Sequence, residues 1–183
     1  MRIIGGKYKS RVLIEFDGAA VRPTADRVKE SLFNILFLKI RGARVLDLFS
    51  GSGALGLECL SREAAEVVFN DLSKNSVEIL KRNMKALKIA PNVENNKVYN
   101  FDFKTCLGAV NGTFDLIFID PPYAFDYGEE ALEIIAKKGL LSENGIAVFE
   151  RDRKMEKSIA GLEKYDERKY GKTWLTFLRK TQS

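Results

Sequence analysis

Histidine is absent from the 183 residues, and cysteine occurs only twice, as Cys59 and Cys106. Without histidine, Ser-His-Asp and Cys-His nucleophilic catalysis are excluded. The two cysteines lie too far apart for a thiol-redox pair or a zinc knuckle, so no metal set is expected. No window approaches the roughly 20 consecutive apolar residues that a membrane-spanning helix needs. The amino-terminal run Met1-Arg2-Ile3-Ile4-Gly5-Gly6-Lys7 lacks the apolar stretch of a secretory signal, so the expectation is a cytoplasmic protein, taken as a monomer. Any chemistry must then use carboxylates, backbone dipoles, lysine, tyrosine or a cofactor.

The composition is that of a globular chain: 45% apolar and 30% charged residues, well away from disorder. One domain with a small appendage is expected at this length. Charge is unevenly spread. Residues 1–44 carry 10 basic and 4 acidic side chains, residues 45–150 carry 10 and 16, and residues 151–183 carry 10 and 5. Two basic flanks around an acidic middle suggest that the flanks face a polyanion, although charge runs also serve simply as solvated faces.

Short β-prone runs, Arg2–Ile4 and Arg11–Ile14, predict a small hairpin within residues 1–21. Pro23-Thr24 opens a helix with Val28, Leu32, Ile35 and Leu36 at helical spacing. From residue 44, strands and helices alternate: strands at 44–49, 66–71, 97–101, 114–120 and 145–150, and helices at 54–62, 75–87 and 129–138. A terminal hairpin of 165–170 with 174–178 follows. This pattern predicts an α/β fold whose sheet is mostly parallel, with a C-terminal antiparallel hairpin. Ligands of such sheets bind beyond the C-terminal strand ends, near the reversal of strand order.

Two motifs sit at those ends. Val45-Leu46-Asp47-Leu48-Phe49 runs into Ser50-Gly51-Ser52-Gly53-Ala54-Leu55-Gly56, a G-x-G-x-x-G loop, and Asp71 lies 20 residues beyond Gly51 at the end of the second strand. Glycines allow close backbone approach to a nucleotide, and the acid suits ribose hydroxyls. Asp47 selects among ligands: a carboxylate there repels a pyrophosphate but welcomes a cationic amine. S-adenosylmethionine has an ammonium, a sulfonium and no phosphate, and so fits better than NAD, although a buried, helix-capping aspartate remains the simpler alternative for Asp47.

The second motif is Asp120-Pro121-Pro122-Tyr123, after the Phe114–Ile119 strand. The prolines hold the chain extended and leave carbonyls outward. Asp120 and the Pro121 carbonyl offer acceptors for an amino group, and Tyr123 offers a plate for a planar ring. That suits an exocyclic base amine, whose delocalised lone pair must be aimed at an electrophile. A stacked base would have to leave its stack to arrive there. A rigid proline turn without chemistry is the bland alternative.

These residues resemble class I S-adenosylmethionine-dependent methyltransferases, in VLDLFSGSGALGLECLSR at 45–62 and DPPY at 120–123. With MRIIGGKYKSR at 1–11, RPTADRVKESLFNIL at 22–36 and YGKTWLTFLRK at 170–180, the chain resembles the RsmD family. That resemblance implies a Rossmann-like methyltransferase domain over 22–183 and an RNA-contacting hairpin over 1–21. It implies methylation of the N2 amine of a guanine in 16S ribosomal RNA, on the naked RNA or on the small ribosomal subunit. It further implies donor contacts at Asp47, Ser50, Gly51, Gly53, Asp71 and Leu72, with Asp102 near the adenine. Asp120, Pro121, Pro122 and Tyr123 would hold the base, while Lys7, Lys9, Arg11, Arg22, Thr24 and Arg27 would face RNA. Asp71 stands where many relatives carry Glu, and reaches less far toward a ribose.

Rival readings remain at this stage. Adenine N6 in DNA or RNA, another RNA base or a glutamine amide could be the target, but glutamine enzymes usually carry Asn at the first motif position and DNA enzymes need a recognition insertion. An NAD-dependent oxidoreductase is supported by the glycine loop alone. A non-catalytic RNA-binding protein would not need Asp120.

Overall fold

The computed structural model describes residues 1–16, 23–93, 95–122 and 126–182, with the side chains of 23–25 left out. Among the described residues, helices and strands follow in the order α1 (Pro23–Ile35), α2 (Phe37–Ile40), β1 (Arg44–Asp47), α3 (Ala54–Ser61), β2 (Glu66–Asn70), α4 (Lys74–Ala86), β3 (Asn96–Tyr99), α5 (Phe103–Ala109), β4 (Phe114–Ile119), α6 (Tyr127–Lys138), β5 (Leu141–Arg151), β6 (Leu162–Tyr170) and β7 (Thr173–Lys180). They build one seven-stranded sheet ordered β3-β2-β1-β4-β5-β7-β6. The first five strands are parallel, and β7 inserts antiparallel between β5 and β6.

The central strands are nearly unbroken apolar runs, because helices cover both their faces. Val45, Val67, Phe69, Leu116, Phe118 and Val148 face one layer, with Leu32 and Phe33 of α1, Leu57 of α3 and Leu80 of α4. Leu46, Val68, Ile117, Ile119 and Phe149 face the other, with Leu107 of α5 and Leu132 of α6. The alternation along each strand sets the site: residues one beyond Leu46, Ile119 and Phe149 fall on the α1–α3 side.

Local chemistry sets the helix ends. Asp102 caps α5 by accepting from the Lys104 and Thr105 amides at 3.0 Å each, and Gly139 ends α6 at φ +63°. Gly53 enters α3 at φ +84°, and a Cβ there would meet Leu80 Cδ1 at 2.3 Å, so only glycine closes this turn.

The expected N-terminal hairpin is short: an antiparallel bridge from Arg2 to Val12, with the Ile3 amide donating to the Arg11 carbonyl at 2.9 Å, the Ser10 amide to the Ile3 carbonyl at 2.9 Å and the Leu13 amide to the Met1 carbonyl at 3.0 Å, around a 3₁₀ turn at Gly6–Tyr8. Packing adds to this pairing. Ile3 and Leu13 are buried in the main core, each worth roughly 1.5–3 kcal/mol. The Ile4 and Gly5 amides both donate to Glu58 of α3, at 2.8 Å each. Glu58 also takes Lys29 Nζ at 3.1 Å and Arg62 Nε at 2.8 Å, so this fully buried carboxylate ties segment 1–16, α1 and α3 together. The strand boundaries also moved: β1 stops at Asp47 rather than Phe49, and β5 begins at Leu141, four residues before the expected Gly145.

Candidate active site

Strand order reverses between β2-β1 and β4-β5, and the site occupies the C-terminal ends of these strands. Asp47 closes β1. It is buried, and its Oδ2 accepts from the Gly56 amide at 2.9 Å, so one oxygen performs the helix-capping role foreseen as the simpler alternative. The residue also lines a cavity of about 610 Å³. Burial pushes the Asp47 carboxyl up to about 7 against the opposing Gly56 hydrogen bond, with Asp71 adding to the rise.

The glycine loop is braced from two sides. Asp71 Oδ2 accepts from the Gly51 amide at 2.8 Å, and its Oδ1 accepts from the Ser73 amide at 2.8 Å. Asn83 of α4 donates to the Ser52 carbonyl at 2.9 Å and to the Ile14 carbonyl at 3.0 Å, and accepts from the Ile14 amide at 2.7 Å. Behind the loop, buried Asn70 bonds the Leu48 and Phe101 carbonyls and the Phe101 amide, which locks the ends of β1 and β3 to β2. Ser50 Oγ is buried without a hydrogen-bond partner among the described residues and lines the cavity beside Asp47. A buried hydroxyl left unpaired costs about 1–3 kcal/mol, which a ligand with a polar group would recover.

A second cavity, about 720 Å³, adjoins the first. Asp71, Leu72, Asp102, Phe101, Phe103 and Tyr127 are among its lining residues. Leu72 is 71% exposed, an apolar side chain held open to the cavity, and the rings of Phe103 and Tyr127 lie 5.3 Å apart. Asp102 is exposed, and its hydrogen bonds with the Thr105 hydroxyl and amide hold its carboxyl below the usual range. The two cavities share Phe16, Phe49, Gly51 and Asp120.

Asp120 follows β4 directly and lies where the two cavities meet. Water reaches it through the open cleft, yet protein surrounds it. That crowding, followed by the nearby Glu150 and Asp47 carboxylates, raises its pKa well above the ordinary range. Pro121 is buried and Pro122 exposed; both line the second cavity. Tyr123 and Arg22 lie outside the described residues, as does the Thr24 side chain.

Lys7, Lys9, Arg11 and Arg27 are exposed and line neither cavity, so they stand apart from the carboxylates. Sequence reasoning missed Phe16, Phe49, Glu150 and Lys172 as cavity residues. Phe49 and Glu150 had a readable signal, since each sits at the end of a strand. Phe16 and Lys172 had none: they arrive through the docking of the N-terminal segment and the β6–β7 turn.

The family model described as conserved hypothetical protein 95 matches residues 1–179. Ribosomal RNA small subunit methyltransferase D of Haemophilus influenzae is 37% identical over 84% of this chain and 79% of its own length. The protein of the same name in Escherichia coli K12 is 36% identical over 83% and 75%. Among solved structures, the Escherichia coli protein yhhF superposes with a TM-score of 0.87 at 31% identity, covering 100% of this chain and 99% of that one. By sequence and by fold, the chain belongs to the conserved hypothetical protein 95 family, which is the family of the small-subunit rRNA methyltransferase D proteins.

Proposed function

We propose that this protein transfers the methyl group of S-adenosylmethionine to the exocyclic N2 amine of a guanine in 16S ribosomal RNA, within the small ribosomal subunit or its precursor. One observation carries the reading: Asp120 lines both cavities, so a single carboxylate borders the whole cleft, between the donor groups that reach from Asp47 and Ser50 in the first cavity to Asp71 and Asp102 in the second and the space beside Glu150 where a base can enter.

The donor site suits a cationic nucleoside without phosphate. Asp47 meets an ammonium, and the unpaired Ser50 hydroxyl provides a further polar contact. Gly51 and Gly53 keep the loop low enough for backbone approach. Leu72, Phe101 and Phe103 offer apolar surface to an adenine, with Asp71 and Asp102 beside it for ribose hydroxyls and ring edge. When bound, the donor supplies an activated methyl group. The protein's own part is to aim the acceptor. Asp120 and the Pro121 carbonyl accept the amine hydrogens, which turns the nitrogen lone pair toward the methyl. The raised basicity of Asp120 equips its carboxylate to take the proton that the nitrogen sheds. Tyr123 is assigned the face of the base, and the exposed Lys7, Lys9, Arg11 and Arg27, with Arg22 and Thr24, the RNA backbone.

Mass mapping of 16S rRNA from cells with and without the gene tests this. One N2-methylguanosine should vanish on deletion, return with the wild-type gene and stay absent with Asp120→Asn. A lost N6-methyladenosine instead would move the target to adenine, and an unchanged map would end the reading.

A further inference from the structure

Beside Asp120 stands a second carboxylate. In the pairing of β4 with β5, Ile119 is opposite Phe149, so Asp120 and Glu150 are adjacent at the ends of neighbouring parallel strands. Phe118 and Val148 face the α1–α3 layer while Ile119 and Phe149 face the other, which puts Asp120 and Glu150 on the same side of the sheet. Both line the cavity of about 610 Å³, together with Asp47 and the buried, unpaired hydroxyl of Ser50. Glu150 is half-buried, and a carboxylate has about four lone-pair positions, so an intramolecular partner leaves acceptor capacity toward the cavity.

Two neighbouring carboxylates disfavour one another, and each is acceptor-only when ionised. The ligand edge that complements them presents two donors side by side. Among the bases with an exocyclic amine, only guanine does so, with N1–H next to its N2 amine. Adenine and cytosine place a bare ring nitrogen lone pair next to theirs. We infer that Glu150 is a specificity-determining residue: it accepts the guanine N1–H while Asp120 accepts from the N2 amine, and its charge repels the ring lone pair of adenine or cytosine. This rests on the reading that the acceptor is a base amine, and it adds the group that chooses the base. A site built to bond a substrate N–H discriminates strongly against an analogue without it, because the buried acceptor is left unpaired.

The experiment uses RNA stem-loops spanning the mapped target, with either guanine or 2-aminopurine at that position. 2-Aminopurine keeps the reacting amine but replaces N1–H by a lone pair. Wild-type protein should favour guanine by ~10–100-fold in kcat/KM, the cost of leaving one buried acceptor unpaired. With S-adenosylhomocysteine present, it should favour guanine likewise in binding, read by competition and by the fluorescence of unstacked 2-aminopurine. Glu150→Gln, whose amide can donate to the lone pair, should bring both ratios close to one with unchanged S-adenosylhomocysteine affinity. Glu150→Asp should slow guanine methylation without improving 2-aminopurine, and it carries the test if the glutamine variant fails to fold. Ratios that stay at the wild-type value in both variants overturn the role of Glu150 alone. Failure of the wild-type protein to methylate guanine overturns the parent reading, and this one with it.

Discussion

Asp47 accepts a hydrogen bond from the Gly56 amide at 2.9 Å, so the last residue of β1 caps the first turn of α3 from inside the core. The same carboxyl lines the cavity of about 610 Å³ that we assign to the donor, and burial raises it to about 7. In the unfolded chain it has an ordinary, lower carboxylate pKa. Between that value and about 7 the folded state holds a proton that the unfolded state has lost, so the free protein loses stability as pH rises through this window. A ligand carrying an ammonium group reverses the balance, because it favours the ionised form.

Affinity for S-adenosylhomocysteine should therefore increase as pH rises toward about 7 and level off above it. Asp47→Asn preserves an acceptor for Gly56 but no charge. It should bind about tenfold more weakly at pH 8, equivalent to about 1.4 kcal/mol, and match the wild type at pH 5.5. Calorimetry across this range measures both, and a flat wild-type profile would remove Asp47 from the ammonium site.

Asp120→Asn retains shape and one acceptor oxygen but can no longer take a proton. Turnover should fall by about 10²–10⁴-fold while S-adenosylhomocysteine affinity changes little. Because the Asp120 pKa is raised, the wild-type rate should climb as pH increases through that ionisation, and the climb should vanish in the variant. Methyl incorporation into ribosomal RNA at several pH values supplies the profile. A variant that turns over at the wild-type rate would place the proton acceptor elsewhere.

Glu58 carries a different kind of load. It is fully buried and satisfies the Ile4 and Gly5 amides, Lys29 and Arg62. Glu58→Ala leaves the Lys29 ammonium buried at 3% exposure without its ion-pair partner, and should cost about 3–5 kcal/mol in urea unfolding at pH 7. Burial already lowers the Lys29 pKa, and removing its partner lowers it further. The folded variant can then shed this proton while the unfolded chain keeps it, so part of the lost stability should return as pH is raised toward 10. A pH-independent loss would assign the effect to packing alone.

The sequence was most readable where chemistry is contiguous. The glycine loop and the Asp-Pro-Pro-Tyr segment are short stretches whose spacing alone implies a strand end, and the glycine loop and Asp120-Pro121-Pro122 lie at the reversal of strand order. Partnerships set by topology were not readable. Glu150 is visible as a strand end, but it joins Asp120 only because β5 pairs with β4, and Lys172 reaches the cavity only because β7 inserts between β5 and β6. Residues 1–16 show the pairing that their alternating short apolar runs imply, Ile3 with Arg11 and Ser10 and Met1 with Leu13, but not the docking, in which Ile3 and Leu13 enter the core and the Ile4, Gly5 and Ile14 amides bond Glu58 and Asn83. An acid within the apolar helix Ala54–Ser61 was the one visible hint of that docking.

The basic face of that docked segment should act on RNA independently of the cavity. Lys7, Lys9 and Arg11 are exposed and line neither pocket, whereas the segment's buried residues and backbone amides hold it to α3. Their charge can therefore be reversed without touching the donor site. If they neutralise phosphates, each contributes ~0.7–0.9 to the slope of log K against log salt. A triple variant to Glu should lower that slope by about 2–3 and weaken RNA binding most at low salt, with S-adenosylhomocysteine affinity unchanged. Filter binding of 16S rRNA fragments between 50 and 300 mM salt, roughly the span over which counterion release dominates, gives the slope directly. A slope equal to that of the wild type would make these three side chains a solvated face only, and would leave RNA engagement to the groups around the cavity mouth.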